Sequence, residues 1–193
     1  MIQIGFKSSK GIKRKNNEDA CFVMPKEEVY IVADGVGGNN AGELASRTAV
    51  TSVAEHIKKN SLAEMFSEEQ ISEYFKDCME EANKNVYDLA EKYEQNKGMA
   101  TTLVVCHMKG NRAYISNVGD SRAYIFSKGT LSQLTEDHTY VNSLIKMGII
   151  TEDEAKGHQK VNMITKALGA EREIAPDFYS TELNNGDIIL LCT

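Results

Sequence analysis

Three acidic sites in the sequence suggest chemistry. Asn17-Glu18-Asp19 lies in a polar turn, Asp34-Gly35-Val36-Gly37-Gly38 follows directly on the apolar run Val29-Tyr30-Ile31-Val32-Ala33, and Val118-Gly119-Asp120-Ser121-Arg122 again sets an aspartate at the end of an apolar stretch. An aspartate at a strand end is aimed at the rim of a domain and held rigidly. Carboxylate and carbonyl oxygens suit hard cations such as Mg²⁺ or Mn²⁺, and glycine lets the backbone approach an ion closely enough for a carbonyl to ligate it. Taken singly, Asp34 reads as the opening of a glycine-rich turn that caps the next helix. Three strand-end acidic sites in 193 residues resemble a multi-metal centre instead.

The surrounding elements would hold these groups in place. Val29 to Ala33 reads as a buried strand entering a tight turn. The turn opens a helix over 41–59, with Leu44, Ala49, Val50, Val53 and Ile57 along one face and Asn39 or Asn40 as its cap. A second, long amphipathic helix starts at Ser67, which forms a capping box with Gln70, and carries Ile71, Phe75, Cys78, Ala82, Val86, Leu89 and Tyr93 at three- and four-residue steps. From Thr101 the period changes to two. Leu103 and Val105, then Ala113, Ile115 and Val118, predict strands joined by a hairpin at Lys109-Gly110-Asn111, and 122–127 and 131–134 continue as strands across Lys128-Gly129. Residues 140–155 read as helix interrupted by Gly148, and 187–193 as a final apolar strand. Strands, two long helices and then hairpin-linked strands are not a βαβ repeat, so the class is α+β with mainly antiparallel sheets.

Composition narrows the function. Hydrophobic residues make up 41% and charged residues 26%, and two prolines and no low-complexity linker leave one domain over 1–193. A net charge of −6 opposes a general nucleic-acid or anionic-membrane binder. Lys7-Ser8-Ser9-Lys10-Gly11-Ile12-Lys13-Arg14-Lys15 is a local basic run that composition alone reads as a solvated loop. Cys21, Cys78, Cys106 and Cys192 lack metal-site spacing and read as reduced, mostly buried thiols. With neither a signal-peptide core nor a long apolar run, a cytoplasmic protein is expected.

The ordered motifs Arg14-Lys15-Asn16-Asn17-Glu18-Asp19, Val32-Ala33-Asp34-Gly35-Val36-Gly37-Gly38, Gly42-Glu43, Thr101-Thr102, Val118-Gly119-Asp120-Ser121-Arg122, Leu134-Thr135-Glu136-Asp137-His138 and Ile164-Thr165-Lys166-Ala167-Leu168-Gly169 are similar to those of the bacterial PP2C (PPM) metal-dependent serine/threonine protein phosphatases. The resemblance implies a four-layer αββα sandwich, two antiparallel sheets flanked by helices, with its C-terminal part missing. It also implies two Mn²⁺ or Mg²⁺ ions and a third, weaker one. Asp34 would bridge the pair, Glu18 and the Gly35 carbonyl would hold one ion, Asp19 would support the site from behind, Asp120 would ligate the third ion, and Arg14 would grip the substrate phosphate. The implied reaction is attack by a metal-bridging water on phosphoserine or phosphothreonine in proteins, without a phosphoenzyme, opposing a bacterial Ser/Thr kinase. Residues 140–163 are similar to a flap that influences substrate choice, and His138 reads as an orienting or structural histidine.

Some residues depart from the pattern. The family places two further metal-ligating aspartates after the final strand, where this sequence ends at Cys192-Thr193, so a truncated chain is expected, with an inactive fragment or phosphoprotein-binding pseudophosphatase as the alternative. Val36 stands where eukaryotic members carry a histidine, and Ala100 where bacterial members often have glycine. Cys106 and Arg112 have the C-x₅-R spacing of a cysteine phosphatase, but they flank a hairpin rather than a strand-loop-helix cradle. Dinucleotide binding at Gly35-x-Gly37 fails for want of the third glycine, where Asn40 stands.

Overall fold

The computed structural model describes residues 2–38 and 41–193, so the cap expected from Asn39 or Asn40 lies outside the described residues. Strands β1 (Asp19–Met24) and β2 (Val29–Val36) lead into helices α1 (Ala41–Lys59) and α2 (Glu68–Lys92). There follow β3 (Ala100–Thr101), β4 (Leu103–Lys109), β5 (Arg112–Val118), β6 (Arg122–Ser127) and β7 (Thr130–Gln133), then α3 (Tyr140–Lys146) and α4 (Glu152–Lys156), then β8 (Asp177–Glu182) and β9 (Ile188–Cys192). The larger sheet runs β1-β2-β4-β5-β8 with β3 paired to β2, and the smaller runs β7-β6-β9. Every pairing is antiparallel.

Alternation on the larger sheet builds two cores. Val29, Ile31 and Ala33 of β2, Leu103 and Val105 of β4, and Tyr114 and Val118 of β5 face α1 and α2, where Val53, Ile57, Phe75, Met79 and Val86 complete the packing. Tyr30 and Val32, Val104 and Cys106, and Ala113 and Ile115 face the other way and meet Ala123, Ile189 and Leu191 of the smaller sheet. Each fully buried large side chain contributes about 1.5–3 kcal/mol by leaving water.

α1 lies on β1 and β2 through small residues. Its buried face is Ala41, Gly42, Ala45, Ser46, Ala49, Val50, Ser52, Val53, Ala54, His56 and Ile57. Leu44, expected on that face, is 39% exposed, because close approach of helix and sheet selects the alanine-glycine-serine stripe. α2 has the expected capping box: Ser67 Oγ accepts from the Gln70 N–H at 3.2 Å, and the Ser67 N–H donates back to Gln70 Oε1 at 3.1 Å. Tyr93, assigned to the same apolar face, lies just past the helix and is exposed.

The expected face-to-face sheets with flanking helices are present, but the helical cover is one-sided. The outer face of the smaller sheet exposes Phe126, Leu131, Ile188 and Leu190, and among the described residues no helix covers it. Among the described residues the long helices α1 and α2 both pack on the larger sheet. β1 and β8 were not anticipated, since neither carries a clean apolar alternation. Cys78 and Cys106 are buried and Cys21 and Cys192 half-buried. No described helix is long and apolar enough to cross a membrane.

Candidate active site and metal centre

Asp34 shares the parity of Tyr30 and Val32, so its side chain lies on the inter-sheet face at the end of β2, opposite Asp19 of β1. Its backbone is fully committed. The Asp34 N–H donates to Thr102 Oγ1 at 2.9 Å, and its carbonyl accepts from the Thr102 N–H at 2.9 Å and from Thr101 Oγ1 at 3.0 Å. A carboxylate on so constrained a backbone is preorganised for a ligand.

Glu18 is placed by the same strand pair. Its carbonyl accepts from the Gly35 N–H at 3.1 Å and from Ser46 Oγ of α1 at 2.6 Å. Two glycines permit the approach: a Cβ on Gly35 would sit 1.9 Å from the Gly42 carbonyl oxygen, and one on Gly42 would sit 2.8 Å from Glu18 Oε2. The Glu18 carboxylate therefore rests on the first turn of α1, where the helix dipole favours negative charge.

Asp120 occupies the turn between β5 and β6, and that turn is pinned from two sides. Gly119 has φ +102°, and its missing Cβ would lie 2.6 Å from Thr102 Cγ2, while Thr102 Oγ1 shares a 2.6 Å hydrogen bond with Ser121 Oγ. Thr102 thus touches both the Asp34 backbone and the Asp120 turn. On the other side, the Gly119 N–H donates to His138 Nδ1 at 3.0 Å and the His138 N–H donates to the Gly119 carbonyl at 3.0 Å. Because Nδ1 accepts, the ring proton is on Nε2, which faces Asp177 Oδ2 at 3.2 Å in a bent contact. Lys166 Nζ meets Asp177 Oδ1 at 3.2 Å. Burial holds the His138 pKa below its usual value against the pull of Asp177; at Asp177 burial pushes upward, but His138 and Lys166 outweigh it and the pKa falls.

Charge gathers at this rim. Burial pushes the Asp34 carboxyl up to about 6, helped by repulsion from Asp19 and Asp120 and opposed by Arg14. Asp120 is also raised, first by burial and then by Asp137. Apposed carboxylates that disfavour each other's ionised forms, with only oxygen donors around them, fit hard divalent cations. Among the described residues no three Asp, Glu, His or Cys side chains converge closely enough to enclose an ion by themselves.

Arg14 lies in the exposed segment before β1 and is near enough to Asp34 to lower its pKa. Arg122 clamps Asp137, with Nε to Oδ1 at 2.8 Å, and ties the β6 start to the Thr135-Glu136-Asp137-His138 segment. Residues 140–163 close on themselves at the base, with the Tyr140 N–H on the Met163 carbonyl at 2.8 Å and a bridge between Thr139 and Ile164. Sequence reasoning quoted Thr102, Gly42 and Lys166 within motifs but gave them no role, and it missed Ser121, Ser46 and Asp177 as supports.

The rejected cysteine-phosphatase reading stays rejected. Burial pushes the Cys106 thiol up to about 12, and Arg112 is engaged with Glu68, Ser180 and Glu182. A thiol so protonated is no nucleophile.

Comparison with known proteins gives the family. The family described as protein phosphatase 2C matches residues 9–193. The serine/threonine phosphatase Stp of Listeria welshimeri is 35% identical over 191 residues, covering 97% of this chain and 75% of the relative. The crystal structure of the Mycobacterium tuberculosis serine/threonine phosphatase PstP/Ppp superposes with a TM-score of 0.85 at 32% identity, covering 97% of this chain and 76% of that one. The catalytic domain of PstP in complex with two manganese ions gives a TM-score of 0.80 at 30% identity, covering 96% and 74%. With its sheets, its acidic rim and the match over nearly its whole length, the chain belongs to the protein phosphatase 2C family, in its bacterial branch of metal-dependent protein serine/threonine phosphatases.

Proposed function

We propose that the chain removes phosphate from phosphoserine and phosphothreonine in proteins with Asp34 at the centre of a two-ion site. Asp34, Glu18 and the Gly35 carbonyl would hold a pair of divalent ions, with Asp34 shared between them; Asp19 backs Asp34 across the strand pair, and Asp120 would hold a third, weaker ion. Arg14 binds the substrate phosphate, since its guanidinium offers paired donors and keeps its charge at any working pH. The carrying observation is Asp34: a carboxylate on a fully hydrogen-bonded backbone, raised to about 6 by burial and by Asp19 and Asp120. Bound divalent ions would supply a water acidic enough to attack phosphorus and would offset charge on the phosphoryl oxygens.

The residues of the chain position and exclude. Asp34 and Glu18 fix where charge is neutralised, and Arg14 orients the phosphate in line with attack. With the rim carboxylates taken up by the ions, transfer goes directly to water without a phosphoenzyme. Val36 is 50% exposed and cannot donate a proton, so the leaving oxygen takes its proton from water or from another group. We further propose Mn²⁺ or Mg²⁺ as the working ion, a single domain over 1–193 with 140–163 as its flap, a cytoplasmic setting, and a bacterial Ser/Thr kinase as antagonist.

The test is Mn²⁺-dependent phosphate release from a phosphothreonine peptide. Release that EDTA abolishes, and that Asp34→Ala lowers by at least about 10³-fold at unchanged melting temperature, is the expected outcome. EDTA-resistant release, or a fully active Asp34→Ala protein, would sink the assignment. Phosphopeptide binding with no release would favour a phosphoprotein-binding module.

A further inference from the structure

The basic run 7–15 has no part in the mechanism beyond Arg14, yet its charge is unusual for this molecule. Lys7, Lys10, Lys13, Arg14 and Lys15 are all exposed, in a chain whose net charge is −6. Elsewhere cations are commonly paired, as in Arg47 with Glu43, Lys76 with Glu73, Lys84 with Asp88 and Lys156 with Asp153. None of the five cations of the run makes an ion pair among the described residues.

The run also has a fixed place. The Asn17 side-chain N–H donates to Ser8 Oγ at 2.7 Å, which folds the segment back onto the turn carrying Glu18 and Asp19. At its other end Arg14 acts on the Asp34 carboxyl. The strip therefore has the phosphate-binding arginine near one end and, through Ser8, lies against the Asn17 turn near the other, setting its cations beside an acidic rim that would itself repel an acidic peptide. Ile12 within it is fully exposed, giving an apolar contact between the charges.

We infer that residues 7–15 form a docking strip for acidic segments of phosphoprotein substrates, so that Lys7, Lys10, Lys13 and Lys15 set a preference for carboxylates near the target phosphate. This rests on the proposed role of Arg14 as phosphate ligand. Lys7 and Lys13 are six residues apart, at most about 20 Å of extended chain, so the preference covers no more than about six positions from the phosphorylated residue. Exposed pairs are individually weak, and two or three of them together give about tenfold in affinity, which salt erases.

The test reads binding, so it needs no turnover. Fluorescein-labelled phosphothreonine peptides with three glutamates or three glutamines on either side of the phosphate are titrated by anisotropy in EDTA at low and moderate salt. The proteins are the chain and Lys7→Gln/Lys10→Gln/Lys13→Gln/Lys15→Gln with Arg14 retained. The glutamate peptide is expected to bind the chain about tenfold tighter than the glutamine peptide at low salt, with the ratio falling to near one in the fourfold variant or at moderate salt. Equal affinities in the chain, or a preference that survives the fourfold variant, overturn the inference. So does tighter binding of a single-stranded oligonucleotide or a phosphatidylserine vesicle than of the glutamate peptide. A flank preference in this titration with no release in the Mn²⁺ assay upholds the strip and sinks the catalytic assignment, and Mn²⁺-dependent release without a flank preference does the reverse.

Discussion

The two sides of the candidate site are built in opposite ways. On one side, Asp34 and Asp120 sit on a lattice of hydrogen bonds in which Thr102 and His138 fasten the strand ends, and almost every supporting group is buried. On the other side, Arg14 rides on an exposed segment without helix or strand before β1, held to the rest through contacts such as Asn17 with Ser8. The ion-holding groups need fixed geometry, because their mutual repulsion must be offset at one place, whereas a group that meets varied protein substrates gains from freedom to adjust. Rigidity here follows the chemistry rather than the sheet.

Glycine substitutions on the two sides should break this symmetry most strongly. Gly119→Ala places a Cβ 2.6 Å from Thr102 Cγ2 on a backbone at φ +102°, and Thr102 cannot yield without releasing the Asp34 N–H. About 3 kcal/mol of stability should be lost, together with metal-dependent activity. Gly11 also has positive φ, +66°, but nothing lies within 4 Å of its missing Cβ. Gly11→Ala should cost about 1 kcal/mol or less and leave activity near normal. Urea denaturation of both variants measures the difference, and equal losses would contradict the contrast.

How much of this was legible in sequence follows the same division. β2, β4, β5 and β9 were readable because apolar runs of β-branched residues end in turn signals, and α2 because its period and its Ser67-Gln70 box agree. β1 and β8 were not, since Asp19–Met24 and Asp177–Glu182 mix polar and apolar residues and are specified by their partners in the sheet. The face of α1 was misjudged at Leu44 because hydrophobicity was weighed above size, whereas close packing on β1 and β2 demands small side chains. The strand-end aspartates announced themselves by type and position. Their supports did not, because Asp177 lies 57 positions from Asp120, and only the fold brings it to His138. Asp120, Asp34 and the Glu18-Asp19 turn could be grouped by type and position, but their separate roles came only through resemblance.

The His138 link should show a smaller effect than Gly119. His138→Ala leaves the buried Gly119 N–H without its acceptor and should cost about 2 kcal/mol. A structural cost alone would stop there. Loss of the hold on the Asp120 turn adds faster hydrogen exchange at the Gly119 amide and an about tenfold higher Mn²⁺ concentration for half-maximal binding. His138→Asn, whose side-chain oxygen can stand in for Nδ1, should recover part of both. A destabilised variant with unchanged Mn²⁺ binding would leave His138 a packing residue.

The smallest expected effect contrasts the rim with the interior. His107 on β4 is 5% exposed and packs between Phe75 and Tyr114, with ring centroids at 6.4 and 6.3 Å. Burial pushes its pKa down, with Lys109 adding to the effect and contacts from Glu28 and Glu27 opposing it. In the unfolded chain the ring takes up a proton near pH 6.5, whereas the folded chain resists until a lower pH. The unfolded state thus binds more protons in that window, so stability is full above about pH 6.5 and falls as pH drops towards the folded value. His138, also lowered, acts with the same sign, whereas Asp34, raised to about 6, takes up its proton first in the folded chain and acts against them. Between pH 7.5 and 5.5 the two histidines lower the melting temperature and Asp34 offsets part of that fall. His107→Phe keeps a ring between Phe75 and Tyr114 but cannot take a proton, so its melting temperature should fall less over that range than that of the unsubstituted chain. An unchanged fall in His107→Phe would mean that His107 gains its proton equally well folded and unfolded, and that the pH sensitivity belongs to the rim.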